Sequence, residues 1–447
     1  MGLPSSTSLD TPSLFAGQWL EECGVAESRY PAFRSQPKPG TASLTPAALW
    51  AQSGAMALTG HINGPPAGGP CGIAVAAAGF TSALAALNDA FLGLDGPALL
   101  GERAACLGLQ RAGQTSPGGS GRLLRCADAW IALNLARDDD WRGMNAWLET
   151  PVPVSSWALL ERQVRSRPAL DLIERGRLLG LAIAYAARPG TFRGTALRTQ
   201  RLAPAANATS SPLVIDLSSL WAGPLCGHLL TLSGARVVKV ESLTRPDGAR
   251  AGETRFFDIL HSRQESVALD FTSPAGLTAL HALIDRADIV LEASRPRALE
   301  QLGINARALI AKRPGKIWTS ITGYGRTGAE GHWVAFGDDA AVAAGAAWAA
   351  AEEAGESEPI FCADAVADPL TGLAAASATL AARKQGGGVL LDISMAGVVN
   401  RALRSAVYES DGDLHPAPSP PRARAPSDGA APLGADTERV LREFVRC

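Results

Sequence analysis

The sequence predicts an α/β fold in which a doubly wound, mainly parallel sheet fills the second half of the chain. Three observations carry this reading. From Leu213 onward, short apolar runs of strand length alternate with helical stretches. A Pro/Ala/Ser-rich stretch, "RLAPAANATSSP" at 201–212, sets that half apart from what precedes it. The preceding text, from Leu44 to about Arg188, has the apolar spacing of helices, as in "ASLTPAALWAQSGAMAL" and "FTSALAALNDAFLGL".

In chain order, residues 1–42 form a Ser/Pro-rich lead-in with no readable element. Residues 43–200 are helical text with one strand-like patch, "RLLRCADAWIALNLA" (122–136), which alternates and carries β-formers. Residues 201–212 read as a linker. Residues 213–407 hold the strands "LVIDL" (213–217), "RVVKVE" (236–241), "SVALDF" (266–271), "ADIVLEA" (287–293) and "KIWTSITGYG" (316–325), spaced by helices such as "PAGLTALHALIDR" (274–286). Ligands of such sheets bind beyond the carboxyl ends of the strands. Residues 408–447 are predicted as a Pro-rich extended arm that closes on a short helix, "ADTERVLREFV" (435–445).

Composition narrows the function. With 447 residues and 47% hydrophobic content, the chain can bury a large core in two or more domains. Its 41 Lys+Arg and 43 Asp+Glu are interspersed, which gives no basic surface for nucleic acid. The seven cysteines stand singly without a CxxC pair, as suits a reducing cytoplasm. No signal-like start is present, and no uncharged apolar run approaches the roughly 18–20 residues that span a membrane. A cytoplasmic protein without a membrane partner is expected.

The familiar cofactor motifs are absent. The loop after the first strand, "SSLWAGPLCG" (218–227), is not GxGxxG, and no GxxxxGK[ST], HExxH, GxSxG or spaced His/Cys cluster occurs. Nicotinamide, flavin and metal are therefore not expected. Attention falls on "FCADAVADPLTGLAAASATLAA" (361–382), where Asp364 and Asp368 precede a small-residue helix. Either could simply cap that helix. A faint echo of the region lies at 51–87, and if Gly79 corresponds to Gly372, Val75 stands where the later copy has Asp368.

Five segments in order decide between capping and chemistry: "VIDLSSLWAGPLCGHLLTLSGARVVKVE" (214–241), "ESVALDFTSPAG" (265–276), "ADIVLEASRPRALEQLGI" (287–304), "ITGYGRTG" (321–328) and "ADPLTGL" (367–373). Together they resemble the family III CoA-transferases, whose relatives include the α-methylacyl-CoA racemases. The order is unusual. Residues 213–400 look like that family's first half, a Rossmann-like CoA-binding domain with its active-site helix, and "APLGADTERVLREF" (431–444) looks like its extreme C-terminus. Residues 48–190 look like its middle and distal parts with the smaller α+β domain, as in a fused or rearranged double copy with a degenerate N-terminal part.

The resemblance implies that Asp368 is a nucleophile and leaves Asp364 as a cap. A carboxylate attacking a thioester yields an acyl-aspartyl anhydride and CoA thiolate, and the thiolate returns to give an aspartyl-CoA thioester. With the reference Asp pKa of roughly 3.9, an ordinary Asp368 needs no partner base. Gly118, Gly119 and Gly121 of "TSPGGSG" become candidate oxyanion donors, with a plain surface turn as the alternative. The CoA-binding positions carried over are Trp221, Ala222, Lys239, Leu269, Asp270, Thr272, Ala293, Ser294, Arg295, Ile321, Thr322, Gly323 and Tyr324. Departures stand at Ser242, Ala293 and Gln301, where the family often has Arg, the Asn of an "ENF" triplet and Arg. The implied substrates are an acyl-CoA and a carboxylic acid acceptor, and the implied assembly is a homodimer in which the glycine loop near Gly119 approaches Asp368 within or across chains.

Two other readings compete. A racemase needs a second base, and where such relatives carry His this chain has Asp338, in "FGDD" (336–339); the nearby His332 reads as a loop residue. A non-catalytic CoA-transferase-like subunit is favoured by Val75 and by the departures, and opposed by Asp368.

Overall fold

The computed structural model describes residues 11–26, 44–150, 156–207, 209–405 and 417–444. Two sheets form. The smaller is antiparallel, in the order β1 (Gly121–Arg125), β2 (Trp130–Asn134), β3 (Ala182–Tyr185). The larger has seven strands: β4 (Leu197–Arg201), β5 (Leu213–Asp216), β6 (Arg236–Ser242), β7 (Glu265–Leu269), β8 (Ile289–Glu292), β9 (Ile317–Thr322) and β10 (Val389–Ser394).

Continuous apolar runs make strands buried on both faces, which is why the larger sheet is covered twice. Along β5 and β8, successive residues serve opposite cores. Val214, Ile289 and Leu291 join the cluster that holds the helices Ala222–Leu232, Ala367–Lys384, Gly72–Leu87 and Thr11–Glu22. Ile215 and Val290 join the other, with Leu280, Leu283 and Ile284 of the Pro274–Arg286 helix. The strand order is β4-β10-β9-β8-β5-β6-β7, parallel from β10 to β7, with β4 antiparallel at one edge. The strands are added outward in one direction from β5 to β7 and in the other from β8 to β10, so the order reverses between β5 and β8. That is the topological switch point of a doubly wound sheet, where a crevice opens beyond the strand ends. The small sheet has its own core of Ile131, Leu133, Trp147, Leu160, Ile173 and Ile183.

Several local expectations change. The strand-like patch at 122–136 is a hairpin of two strands. Cys126 N–H donates to the Ala129 carbonyl at 2.7 Å and turns the chain between them. The lead-in contains a helix, Thr11–Glu22, whose Phe15 and Trp19 meet Phe80 edge-on, each with ring centroids 5.0 Å apart. Its Ser/Pro-rich neighbours conceal that i, i+4 aromatic pair; the rest of the lead-in lies outside the described residues. The predicted linker is bound, not free: Arg201 ends β4, and Ala206 N–H donates to the Gly386 carbonyl at 2.8 Å.

The arm is an ordered strap over residues 417–436. Ser419 N–H donates to the Ala51 carbonyl at 2.8 Å, Arg424 forks onto Glu102 at 2.7 Å, and Ala430 N–H donates to Asp258 at 2.8 Å. It ends in the helix Thr437–Phe444, where Thr437 accepts the Ala268 N–H of β7. This blunts an open sheet edge. Residues 408–416 and 445–447, which include the last residue of the predicted terminal helix, lie outside the described segments. Among the described residues, no helix is long and apolar enough to cross a membrane.

Candidate active site

The helix Ala367–Lys384 is built from small residues, and that lets it lie close on its neighbours. At Gly372 an added Cβ would stand 2.9 Å from the Leu225 side chain and from the Ala222 carbonyl, so the two helices touch backbone to backbone. Four residues earlier, this contact sets Asp368 beside the start of the Ala222–Leu232 helix, and the Ala222 N–H donates to its carboxylate. The free amides and positive end of that helix favour a negative group there. Gly337 leaves room for the Asp368 Oδ2, since any side chain at 337 would collide with it.

Asp368 is partly buried, in the first turn of its helix and not at the cap, which is Val366. Burial raises its pKa, Arg103 and the Ala222 N–H oppose the rise, and Asp338 and Asp364 add to it; the carboxyl is pushed up to about 7. The expectation of an ordinary, fully ionised aspartate is therefore corrected: near neutral pH about half the population is charged.

Asp364 is not a helix cap. It is fully buried and receives the Arg103 guanidinium on both oxygens, with Nε to Oδ2 at 2.8 Å. Its neighbours Ala363 and Ala365 both have left-handed backbones, with φ of 54° and 44°. Such conformations cost alanine about 1 kcal/mol each. Three anchors hold them: Thr59 Oγ1 accepts the Ala363 N–H at 3.0 Å, Arg103 grips Asp364, and Asp338 accepts the Ala365 N–H at 2.9 Å. Two of the three come from the first half of the chain. Burial and Asp364 raise the pKa of Asp338 to about 6, while the Ser116 hydroxyl also bonds its carboxylate.

The glycine turn thus reaches the acidic cluster within one chain, through Ser116 and through Gly118, where a Cβ would stand 2.8 Å from the Arg103 Nη2. Two of the expected oxyanion donors are already used. Gly119 N–H donates to the Ser116 carbonyl at 2.8 Å, and Gly121 N–H to the Ser116 hydroxyl at 2.9 Å. These bonds shape the turn and take both amides out of that role. Among the described residues the Gly118 N–H makes no such bond, and Gly118 is exposed.

Of the CoA-binding candidates, five gather at the switch point. Trp221 and Ala222 follow β5, and Ala293, Ser294 and Arg295 follow β8; an added Cβ at Gly223 would be 3.6 Å from that of Ala293. Arg103 lies over the Trp221 ring, 5.6 Å from its centroid. Arg295 has Arg137, Arg297 and Arg245 as its charged neighbours, and together with burial they hold its pKa down.

The rest are placed otherwise. Lys239 is buried, its ammonium bound to Asp247 and to the Ser218 carbonyl, both at 2.9 Å, so it props the post-β5 loop from beneath and offers no charge to a phosphate. Leu269 is buried at the end of the edge strand β7. Asp270 and Thr272 bond each other in a turn there, Oγ1 to Oδ1 at 2.6 Å. Ile321 is core. Thr322 accepts the Gly325 N–H, and Gly323 and Tyr324 line the end of β9. His332 is exposed on a surface turn.

Sequence reasoning missed Arg103, Thr59 and Ser116. Thr59 and Arg103 lie in unremarkable text and Ser116 was passed over beside its glycines, and only the fold brings them across more than two hundred positions to their partners. Among the described residues no His/Cys/Asp/Glu group is arranged to hold a metal.

Comparison with known proteins places these residues in context. The family pattern described as CoA-transferase family III matches residues 212–435. The chain is 35% identical over 122 residues to a succinyl-CoA–D-citramalate CoA-transferase of Chloroflexus aurantiacus, covering 26% of this chain and 30% of that protein. It is 28% identical over 257 residues to a succinate–glutarate CoA-transferase of Agrobacterium fabrum, covering 52% and 64%. To an alpha-methylacyl-CoA racemase of Mus musculus it is 33% identical over 115 residues, covering 26% and 28%. The chain spans less than two thirds of each of these relatives. The matched half runs from β5 through Asp368 and β10 to the strap, so the parallel strands of the larger sheet, the crevice and the acidic turn all fall inside it, and the chain belongs to CoA-transferase family III.

Proposed function

We propose that this chain transfers CoA between an acyl-CoA thioester and a carboxylic acid, with Asp368 as the nucleophile. The observation that carries the proposal is the Asp368 carboxylate at the helix start beside the switch-point crevice, held by the Ala222 N–H. In the first step an Asp368 oxygen attacks the thioester carbonyl and the C–S bond breaks, giving an acyl-aspartyl anhydride and CoA thiolate. The thiolate then attacks the aspartyl carbonyl and releases the donor acid. An acceptor carboxylate attacks the resulting aspartyl-CoA thioester, and returning thiolate completes acceptor acyl-CoA and frees Asp368.

In this reading the crevice between the post-β5 and post-β8 loops holds CoA. Arg245, Arg295 and Arg297 form no ion pair among the described residues, and their mutual repulsion would be relieved by a polyanionic phosphate group. A racemase is less well supported by the side chains. Asp338, in the position of the second base, is committed to the Ala365 N–H and the Ser116 hydroxyl. The homodimer belongs to the same proposal, and light scattering at micromolar concentration decides it: an active monomer rules it out.

Hydroxylamine added during turnover with an acyl-CoA should convert the activated Asp368 to a hydroxamate, shifting the mass of its peptide. Asp368→Asn should abolish both the shift and CoA transfer. Transfer persisting in that variant overturns the proposal. Exchange of the substrate's α-hydrogen with deuterated solvent, without an adduct, would favour the racemase.

A further inference from the structure

A cavity of about 430 Å³ lies beyond the carboxyl ends of β9 and β10, between the Phe192–Arg198 segment of the first half and the Tyr324–Trp333 loop of the second. Its volume suits a small organic molecule, and its position between two parts of the chain is a common one for ligand sites. The lining combines two kinds of group. Phe192, Tyr324 and Trp333 supply aromatic surface, and Tyr324 and Trp333 meet edge to face with centroids 5.3 Å apart. Arg193 and Arg198 supply guanidinium groups. Arg193 makes no ion pair or hydrogen bond among the described residues, and Arg198 makes only a long one, 3.4 Å to Thr327 Oγ1.

Asp392 stands opposite Arg198 in the β10–β4 pairing and offsets part of its charge, which leaves Arg193 as the cation without a counter-charge among the described residues. Asp392 already accepts the Arg326 N–H on both oxygens, at 3.0 and 3.1 Å. Glu330 on the rim has Arg177 as a charged neighbour.

From the aromatic walls, the unpaired Arg193 guanidinium and the loosely held Arg198 beside it, we infer that this cavity binds a small carboxylic acid with an aromatic body. Its carboxylate faces Arg193 and Arg198. The binding site stands on this geometry alone; that its occupant is the acid which accepts CoA rests on the function proposed above. Next to the lining Tyr324, Gly323 packs on Ala335, and two residues beyond Ala335, Gly337 packs on the Asp368 carboxylate.

The test is calorimetric titration of the full chain with 3-phenylpropanoate and with its neutral isostere, 3-phenylpropanamide. The acid should bind at one site per chain, at least tenfold more tightly than the amide. Arg193→Gln with Arg198→Gln should weaken the acid tenfold or more, with melting temperature and CoA binding unchanged. Equal binding of acid and amide, no binding of the acid at millimolar concentration, or wild-type affinity in the double variant would each overturn the inference. Loss of CoA binding in that variant would also overturn it, by assigning the cavity to CoA. If the acid binds as expected while Asp368 forms no adduct, the site stands and the transferase reading falls.

Discussion

Replacing Asp368 with Asn should make the fold's stability less dependent on pH, by an amount the site itself sets. The carboxyl is at about 7 in the fold against a model value of 3.8. Between those values the folded state holds a proton that the unfolded chain does not, so stability falls as pH rises through the window and levels off above about 7. Each pH unit within it is worth about 1.36 kcal/mol. From pH 5.5 to 8.5 the group crosses about 1.5 units below its folded value, a loss of about 2 kcal/mol. Asp338, at about 6, contributes over a narrower range in both proteins. Urea unfolding of wild type and Asp368→Asn at the two pH values should therefore show the variant gaining about 2 kcal/mol relative to wild type at the higher pH. Parallel curves would refute the claim that Asp368 is buried at a cost. A gain of the opposite sign would mean that Arg103 and the Ala222 N–H outweigh burial.

Arg103→Met should leave the Asp364 carboxylate buried without its partner and cost about 3 kcal/mol, the low end for a broken buried pair because Arg103 keeps 27% exposure. Calorimetry reads that loss. If Arg103 also holds down the pKa of Asp368, the pH profile of hydroxamate formation should move upward in the variant, and an unmoved profile would restrict Arg103 to structure. Val75→Ala, at a fully buried position of the Gly72–Leu87 helix, should lower stability by roughly 1–2 kcal/mol through lost packing and leave adduct formation intact. Selective loss of adduct at unchanged melting temperature would show that this helix takes part in the chemistry.

The parallel sheet was legible because its signal is local: strands such as "LVIDL" and "ADIVLEA" announce themselves by composition and by the helices between them. Asp368 could be singled out only through the ordered set of segments around it, since an Asp before a helix is ambiguous by itself. The supports of the acidic turn were not legible at all. Arg103 and Asp364 meet across 261 positions, and nothing in "LLGERAACLG" distinguishes that arginine from one in solvent. Lys239 failed for the reverse reason. It was carried over with the resemblance as a CoA-binding position, whereas Asp247 lies close enough to pair it in the interior. The glycines of the turn were read by their backbone freedom. That freedom is used at Gly119, with φ of 81°, to close a tight loop on Ser116, which consumes amides that an oxyanion would need.

In the proposed function, a nucleophile half-protonated near neutral pH looks like a poor choice until the two effects of burial are weighed together. Raising the pKa by about three units costs roughly half the reactive population at pH 7, a factor of two. It also yields a more basic, less hydrated carboxylate, whose attack on a thioester carbonyl improves with basicity over the same three units. The gain needs only a shallow dependence to exceed that factor. The limit comes from the other side, because the next unit would cut the remaining carboxylate about fivefold and each unit after it by close to tenfold, without a matching gain in attack. Arg103 and the Ala222 N–H stand where they hold the carboxyl at that limit. The cation is kept off the nucleophile itself by being spent on Asp364: a guanidinium forked directly onto Asp368 would return the group to an ordinary, weakly basic aspartate. On this argument the buried Arg103–Asp364 pair sets the strength of the field at Asp368, and the strained turn between Thr59 and Asp338 fixes the distance over which it acts.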